Sequence, residues 1–204
     1  ELVKAKGKLL NNVQSMFDAA QKGTSAGMDF NAYSRAMGNM VEQLLNNPTT
    51  SIYLDEDMMP NPALVEHSLR VAYLSVLMGL KLDYYLIDER KVLRAYVARE
   101  VTQLGLGASL HDIGMLKVSQ EVCERYEKTG DASDPEWQRH VEYGYADTAG
   151  KLKPSARVVL LHHHQRFDGS GFPVLPNLNN KKDQAHTAKT SKIALPVFMF
   201  RALF

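Results

Sequence analysis

The sequence predicts an all-α protein, on two observations. Apolar residues recur at three-to-four spacing in one segment after another. No stretch alternates apolar with polar residues between turn dipeptides, as a half-buried strand would. The composition agrees with one ordinary core: 204 residues, 45% hydrophobic and 23% charged. A formal net charge of +1 argues against a nucleic-acid polymer as partner, while a small anionic ligand stays compatible. The single cysteine, Cys123, excludes an intrachain disulfide and favours a reducing, cytoplasmic compartment. No apolar run approaches the roughly 20 residues of a membrane helix, so no membrane segment is expected.

Residues 1–52 read as a small helical segment or connector. Leu9, Leu10, Val13 and Phe17 mark one helix face; Gly23, Gly27 and the Asp29-Phe30-Asn31 stretch interrupt it. A second helix carries Met37, Met40, Val41, Leu44 and Leu45 and ends at NNPTTS. This segment holds neither His nor Cys, and no chemistry is assigned to it. The opening ELVKAKGKLL lacks Met and any charged-then-apolar leader, which reads as a fragment; the helical segment itself reads as a cap or as a connector from an upstream sensory module.

From Met59 onward the helices become richer in chemistry. Asn61 suits an N-cap and Pro62 a first helical position, ahead of a buried stripe of Val65, Leu69, Ala72 and Val76. A further helix from IDERKVLRAYVAREV is expected to break at Gly105 to Gly107 before ASLHDIGML. QEVCERYEKTG, DPEWQRHVEYGYADTAGKL and PSARVVLLHHH then each predict a helix, the last with Pro154 near its start.

Seven histidines are present: His67, His111, His140, His162, His163, His164 and His186. Taken singly, His67 reads as a core or surface residue, His140 as part of a solvated face and His186 as surface. The stretch LHHHQRFDGSGFP, Leu161 to Pro173, is different. It sets three imidazoles ahead of a glycine turn able to close over a ligand. Neighbouring imidazoles on a helix point about 100° apart, so at most two can face one centre. Four separated segments thus deliver imidazole, and Asp112 adds a carboxylate able to bridge two ions. Mixed imidazole and carboxylate ligation suits iron or manganese, with zinc or nickel as alternatives, and two-metal hydrolysis of a phosphodiester.

Four pieces, in order, resemble the HD-GYP family of metal-dependent phosphohydrolases: EHSLRVAYLSVLMGL, LHDIGMLKV, RHVEYG and HHHQRFDGSGFP. The match runs from about Tyr53 to Pro173, and it implies that residues 53–204 form an HD-GYP-like helical domain. It further implies hydrolysis of cyclic di-guanylate to the linear dinucleotide or GMP. By position, the metal ligands are His67, His111, Asp112, His140, His163 and His164, with His111 and Asp112 the catalytic pair. Arg166, Asp168, Gly169, Gly171, Phe172 and Lys117 form the substrate-binding set. His162 lies outside the matched pair and supports it.

The departures from the family pattern shape the expectation. Ala63 stands where a third-metal Glu belongs, so two ions are expected. Met115 replaces a phosphate-facing Lys, Phe172 the signature Tyr, and Gln165 a Glu. After Pro173 a metal-binding Asp is expected in the family; Phe198 aligns with it, Asp183 is the only later aspartate, and the substrate segment is absent. A slow or altered phosphodiesterase follows. The rival is a degenerate module that binds the cyclic dinucleotide, or a protein partner, without turnover. A homodimer fits either.

Overall fold

The computed structural model describes residues 1–23, 28–46, 63–82, 101–166 and 171–173. Its helices are α1 (Leu2–Gln21), α2 (Phe30–Asn46), α3 (Ala63–Lys81), α4 (Thr102–Ala108), a 3₁₀ helix (Ile113–Lys117), α5 (Gln120–Thr129), α6 (Pro135–Gln138), α7 (His140–Asp147) and α8 (Pro154–His162). Among the described residues there is no strand, only an isolated bridge between Gln165 and Gly171. The fold is all-α, as expected. Asn61, Pro62, residues 83–100, Asp168, Gly169, Asp183, His186 and Phe198 lie outside the described residues.

The apolar stripes read from sequence turn inward. Leu9, Val13 and Phe17 of α1, Met37, Met40, Val41 and Leu44 of α2, and Val65, Leu69, Ala72 and Val76 of α3 are all buried. Leu45 departs from its stripe and is 60% exposed. Asp29 starts α2 by accepting the N–H groups of Asn31 and Ala32 at 3.0 and 2.8 Å. Together with α4 and α8 these helices share one core that reaches from Leu2 to Leu160. Among the described residues, α3 alone would pass for a membrane span by length and composition. Its buried side chains instead belong to this common core.

A smaller cluster gathers Val118, Val122, Trp137, Val141 and Phe172. Residues with chemistry sit at the seam: His111 follows Leu110 of the large core, and His140 precedes Val141 of the small one.

The expected helix break at Gly105 to Gly107 does not occur. Helix α4 runs through both glycines and ends at Ser109. A Cβ on Gly105 would lie 2.6 Å from Met37 Sδ and 2.7 Å from Val76 Cγ2; one on Gly107 would lie 2.5 Å from the Ala156 carbonyl. These glycines therefore permit α4 to seat against α2, α3 and α8, and close approach is their reason. The helix read across residues 134–152 is also divided, at Arg139, into α6 and α7. Asp134 caps the first by accepting from Glu136 and Trp137 N–H.

Gly114, in the 3₁₀ helix, lies directly on α7, where a Cβ would run into the His140 carbonyl. Gly7, within α1, has nothing within 4 Å of its Cβ position. Opposite signs are expected from the same substitution. Gly7→Ala should raise unfolding stability by about 0.5–1 kcal/mol through backbone entropy. Gly114→Ala should lower it by about 1–3 kcal/mol through overpacking. Denaturant melts of the two variants check both.

Candidate metal centre

Two groups of ligand atoms converge, each within 4.8 Å: Asp112 with His140, His163 and His164, and Asp112 with His67 and His111. The carboxylate belongs to both and divides its oxygens between them. Oδ2 lies 3.0 Å from His111 Nε2 and 3.7 Å from His67 Nε2. Oδ1 lies 3.3 Å from His163 Nε2 and 3.5 Å from His140 Nε2.

Helix ends aim the imidazoles. His111 follows the turn after α4, His140 opens α7, and His163 caps α8. Each of these rings donates its Nδ1–H to the carbonyl three residues earlier: His111 to Ala108 at 2.7 Å, His140 to Trp137 at 2.6 Å, and His163 to Leu160 at 3.0 Å. A carbonyl only accepts, so in each neutral ring the proton is on Nδ1 and the Nε2 lone pair points inward. The triple histidine run therefore splits as expected, with His163 and His164 in the cluster. His162 is half-buried and in neither group.

Charge now decides what the cluster can hold. Burial pushes His140 down to about 4, and burial also lowers His67, His163 and His164. Burial disfavours a charged His111 too, but the charge and hydrogen bond of Asp112 outweigh it and hold its pKa above the ordinary value. Burial would raise Asp112, yet His111 and His163 hold its carboxyl well below the usual carboxylate range. At neutral pH, His140 and His163 thus present two lone pairs 3.2 Å apart with no proton between them. Divalent cations fit such a donor set, since they convert a repulsion of lone pairs into ligation.

An aromatic wall backs one side. Phe172 stacks on His164 with ring centroids 4.4 Å apart, and Trp137 meets the edges of His140, His164 and Phe172. Tyr126 stacks on the far face of this group at 4.1 Å from Trp137. Phe172 is 8% exposed, which leaves most of its ring inside the wall rather than open to a ligand. The Gln165 side-chain amide donates to the Pro173 carbonyl and pins the loop at its base. Gly171 there has φ +97, a conformation that favours glycine.

The remaining sequence-selected residues are spread out. Arg166 is exposed, two residues beyond the histidine run. Lys117 reaches Asp147 at 2.6 Å rather than the cluster. Met115 packs into the small apolar cluster, and Glu66 pairs with Arg70 at 2.6 Å on the outer face of α3. Sequence reading missed Trp137, whose carbonyl and ring both hold His140. The available signal was the single tryptophan placed about one helical turn before His140.

A family model described as the HD domain matches residues 64–194, well over half of the chain. The chain belongs to the HD-domain family. That family is metal-dependent, and the His/Asp cluster is compatible with a metal site. A cyclic di-GMP phosphodiesterase of Pseudomonas aeruginosa is 38% identical over 78 residues, which cover 36% of this chain and 18% of that protein. The cyclic di-GMP phosphodiesterase response regulator RpfG of Xanthomonas campestris pv. campestris is 31% identical over 77 residues, 36% of this chain and 20% of that one. The 3'3'-cGAMP-specific phosphodiesterase 2 of Vibrio cholerae is 30% identical over 80 residues, 36% of this chain and 15% of that one. The matched stretch thus spans a fifth or less of these curated relatives. The resemblance to the HD-GYP group stands on these matches. No solved structure matches the chain.

The pH dependence of the metal-free protein follows from the depressed imidazoles. Between the unfolded value near 6.5 and the native value of about 4, the unfolded chain binds the His140 proton and the native one does not. Stability is therefore full above about 6.5 and falls as pH drops through this window. His67, His163 and His164 act in the same direction, and only His111 opposes. Thermal midpoints measured with a chelator at pH 7.5, 6 and 5 should decline in that order. A flat profile would mean that these rings are not buried in neutral form.

Proposed function

We propose that the protein is a two-ion phosphodiesterase that opens a cyclic dinucleotide, cyclic di-GMP first, to the linear dinucleotide or GMP. The observation that carries this reading is the division of Asp112, one oxygen toward each imidazole group. His67, His111 and Asp112 would hold one cation; Asp112, His140, His163 and His164 would hold the other. The donor set favours iron or manganese, with zinc or nickel as alternatives. Bound there, such ions would supply an activated water and neutralise charge on the phosphoryl oxygens.

The chain's own residues do the rest. Asp112 ties both sites to one carboxylate, and His111 shares its Oδ2 edge. His67, with its side chain 47% exposed, leaves that flank open for a bulky ligand. Arg166 offers a forked guanidinium to phosphate, and Asp168, Gly169 and Gly171 complete the proposed substrate-binding set. Phe172 acts chiefly through the stack that orients His164. Lys117 contacts phosphate only if its pairing with Asp147 opens. Without an ammonium at Met115, turnover is slower by about 10²- to 10³-fold, the usual effect of one lost transition-state donor. The same two features, Met115 in the apolar cluster and Lys117 held by Asp147, favour the second reading, a module that binds without turnover. A cytoplasmic setting, an upstream module and a homodimer belong to the proposal as well.

Incubation of Mn²⁺-loaded protein with cyclic di-GMP, followed by chromatography, tests the reading. Linear product is expected from the wild type. From Asp112→Ala the expected loss exceeds about 10³-fold, because both sites lose a shared ligand. The single tryptophan, Trp137, stands against His140 and His164, so its fluorescence should follow Mn²⁺ titration in the wild type and not in Asp112→Ala. Bound Mn²⁺ and nucleotide without product would select the second reading. Undiminished Mn²⁺ binding by Asp112→Ala would sink the ligand assignment.

A further inference from the structure

Tyr33 lies within α2, in the segment to which the sequence assigns no chemistry. It is fully buried, and its hydroxyl crosses to the end of α4. There it donates to the Leu106 carbonyl at 3.0 Å or to Ser109 Oγ, which it also contacts. Ser109 Oγ donates in turn to the Gly105 carbonyl at 2.9 Å. Burial pushes the Tyr33 phenol up, so it stays a neutral donor.

A helix C-terminus leaves its last carbonyls in need of partners. At the end of α4 the Ala108 carbonyl goes to His111 Nδ1, and Leu106 has the hydroxyl of Tyr33. Two residues past Ser109 the chain delivers His111 and Asp112. The Leu106 carbonyl is thus reached from outside its segment by Tyr33 at 3.0 Å and from within by Ser109 Oγ at 3.3 Å. Met37, one helical turn beyond Tyr33, presses its sulfur on Gly105, so α2 grips α4 at two consecutive points.

We propose that Tyr33 is a positioning residue for the His111–Asp112 turn, tying α2 to the candidate centre through the end of α4. The inference rests on the metal-centre reading for its consequence on affinity, and on local geometry alone for its consequence on the turn.

Two measurements on Tyr33→Phe separate these. Mn²⁺ affinity should weaken about 10- to 100-fold, the usual effect of removing a group that supports a ligand. Amide hydrogen exchange at Ser109, Leu110 and Ile113, whose N–H groups bond to Gly105, Gly107 and Leu110, should accelerate in the still-folded protein. Leu44→Ala serves as the control. It opens a cavity in the same helix, 11 residues from Tyr33, without touching Ser109, and should leave both readouts near wild type. Exchange and affinity unchanged in Tyr33→Phe would overturn the proposal, as would an equal effect from Leu44→Ala. If the wild type binds no Mn²⁺, the metal reading falls, and the exchange comparison still decides the role of Tyr33.

Discussion

One carboxylate among imidazole nitrogens is the constraint on which the rest depends. Asp112 has four Nε2 atoms within 3.0–3.7 Å of its two oxygens. A charge that crowded and that little hydrated needs a protonated neighbour or a cation shared with the surrounding nitrogens. The fold is arranged to meet that demand. Three backbone carbonyls fix the imidazole tautomers, an aromatic wall fixes ring planes, and glycines let the carrier helices close to contact distance. Without the Gly114 approach to His140, the HD turn and α7 could not bring their ligands to one point.

Much of this was legible in the sequence, for a physical reason. Helix stripes are local and periodic, so α1, α2 and α3 could be read residue by residue. The convergence of the His/Asp cluster was legible because imidazole appears in four separated segments, and a solvated helix face has no use for the HHH run beside DGSG. His140 was harder to read. It lies among polar residues, and only the partner surface of Trp137 and His163 explains why it is fully buried.

Non-local facts escaped. Gly105 and Gly107 look like breakers in one dimension and turn out to be contact points in three. Leu45 follows buried Leu44 but points about 100° further round the helix, off the stripe, and is exposed. Tyr33 carries no sequence signal at all, since its hydroxyl finds partners 73 and 76 residues away. Phe172 shows the reverse case: the loop motif drew attention to its missing hydroxyl, while its position assigns it to the wall behind His164.

The side chains of the cluster are not equally sheltered. His140 is fully buried, His163 nearly so, and the side chain of His67 is 47% exposed. Cations held by such a pair of sites would differ in how fast they trade with the medium. The inner one would be kept through dilution and washing, whereas the outer one would follow whatever ion is abundant outside. Preparations from different media would then carry mixed metals in unequal ratio, with the variable share confined to the His67 side.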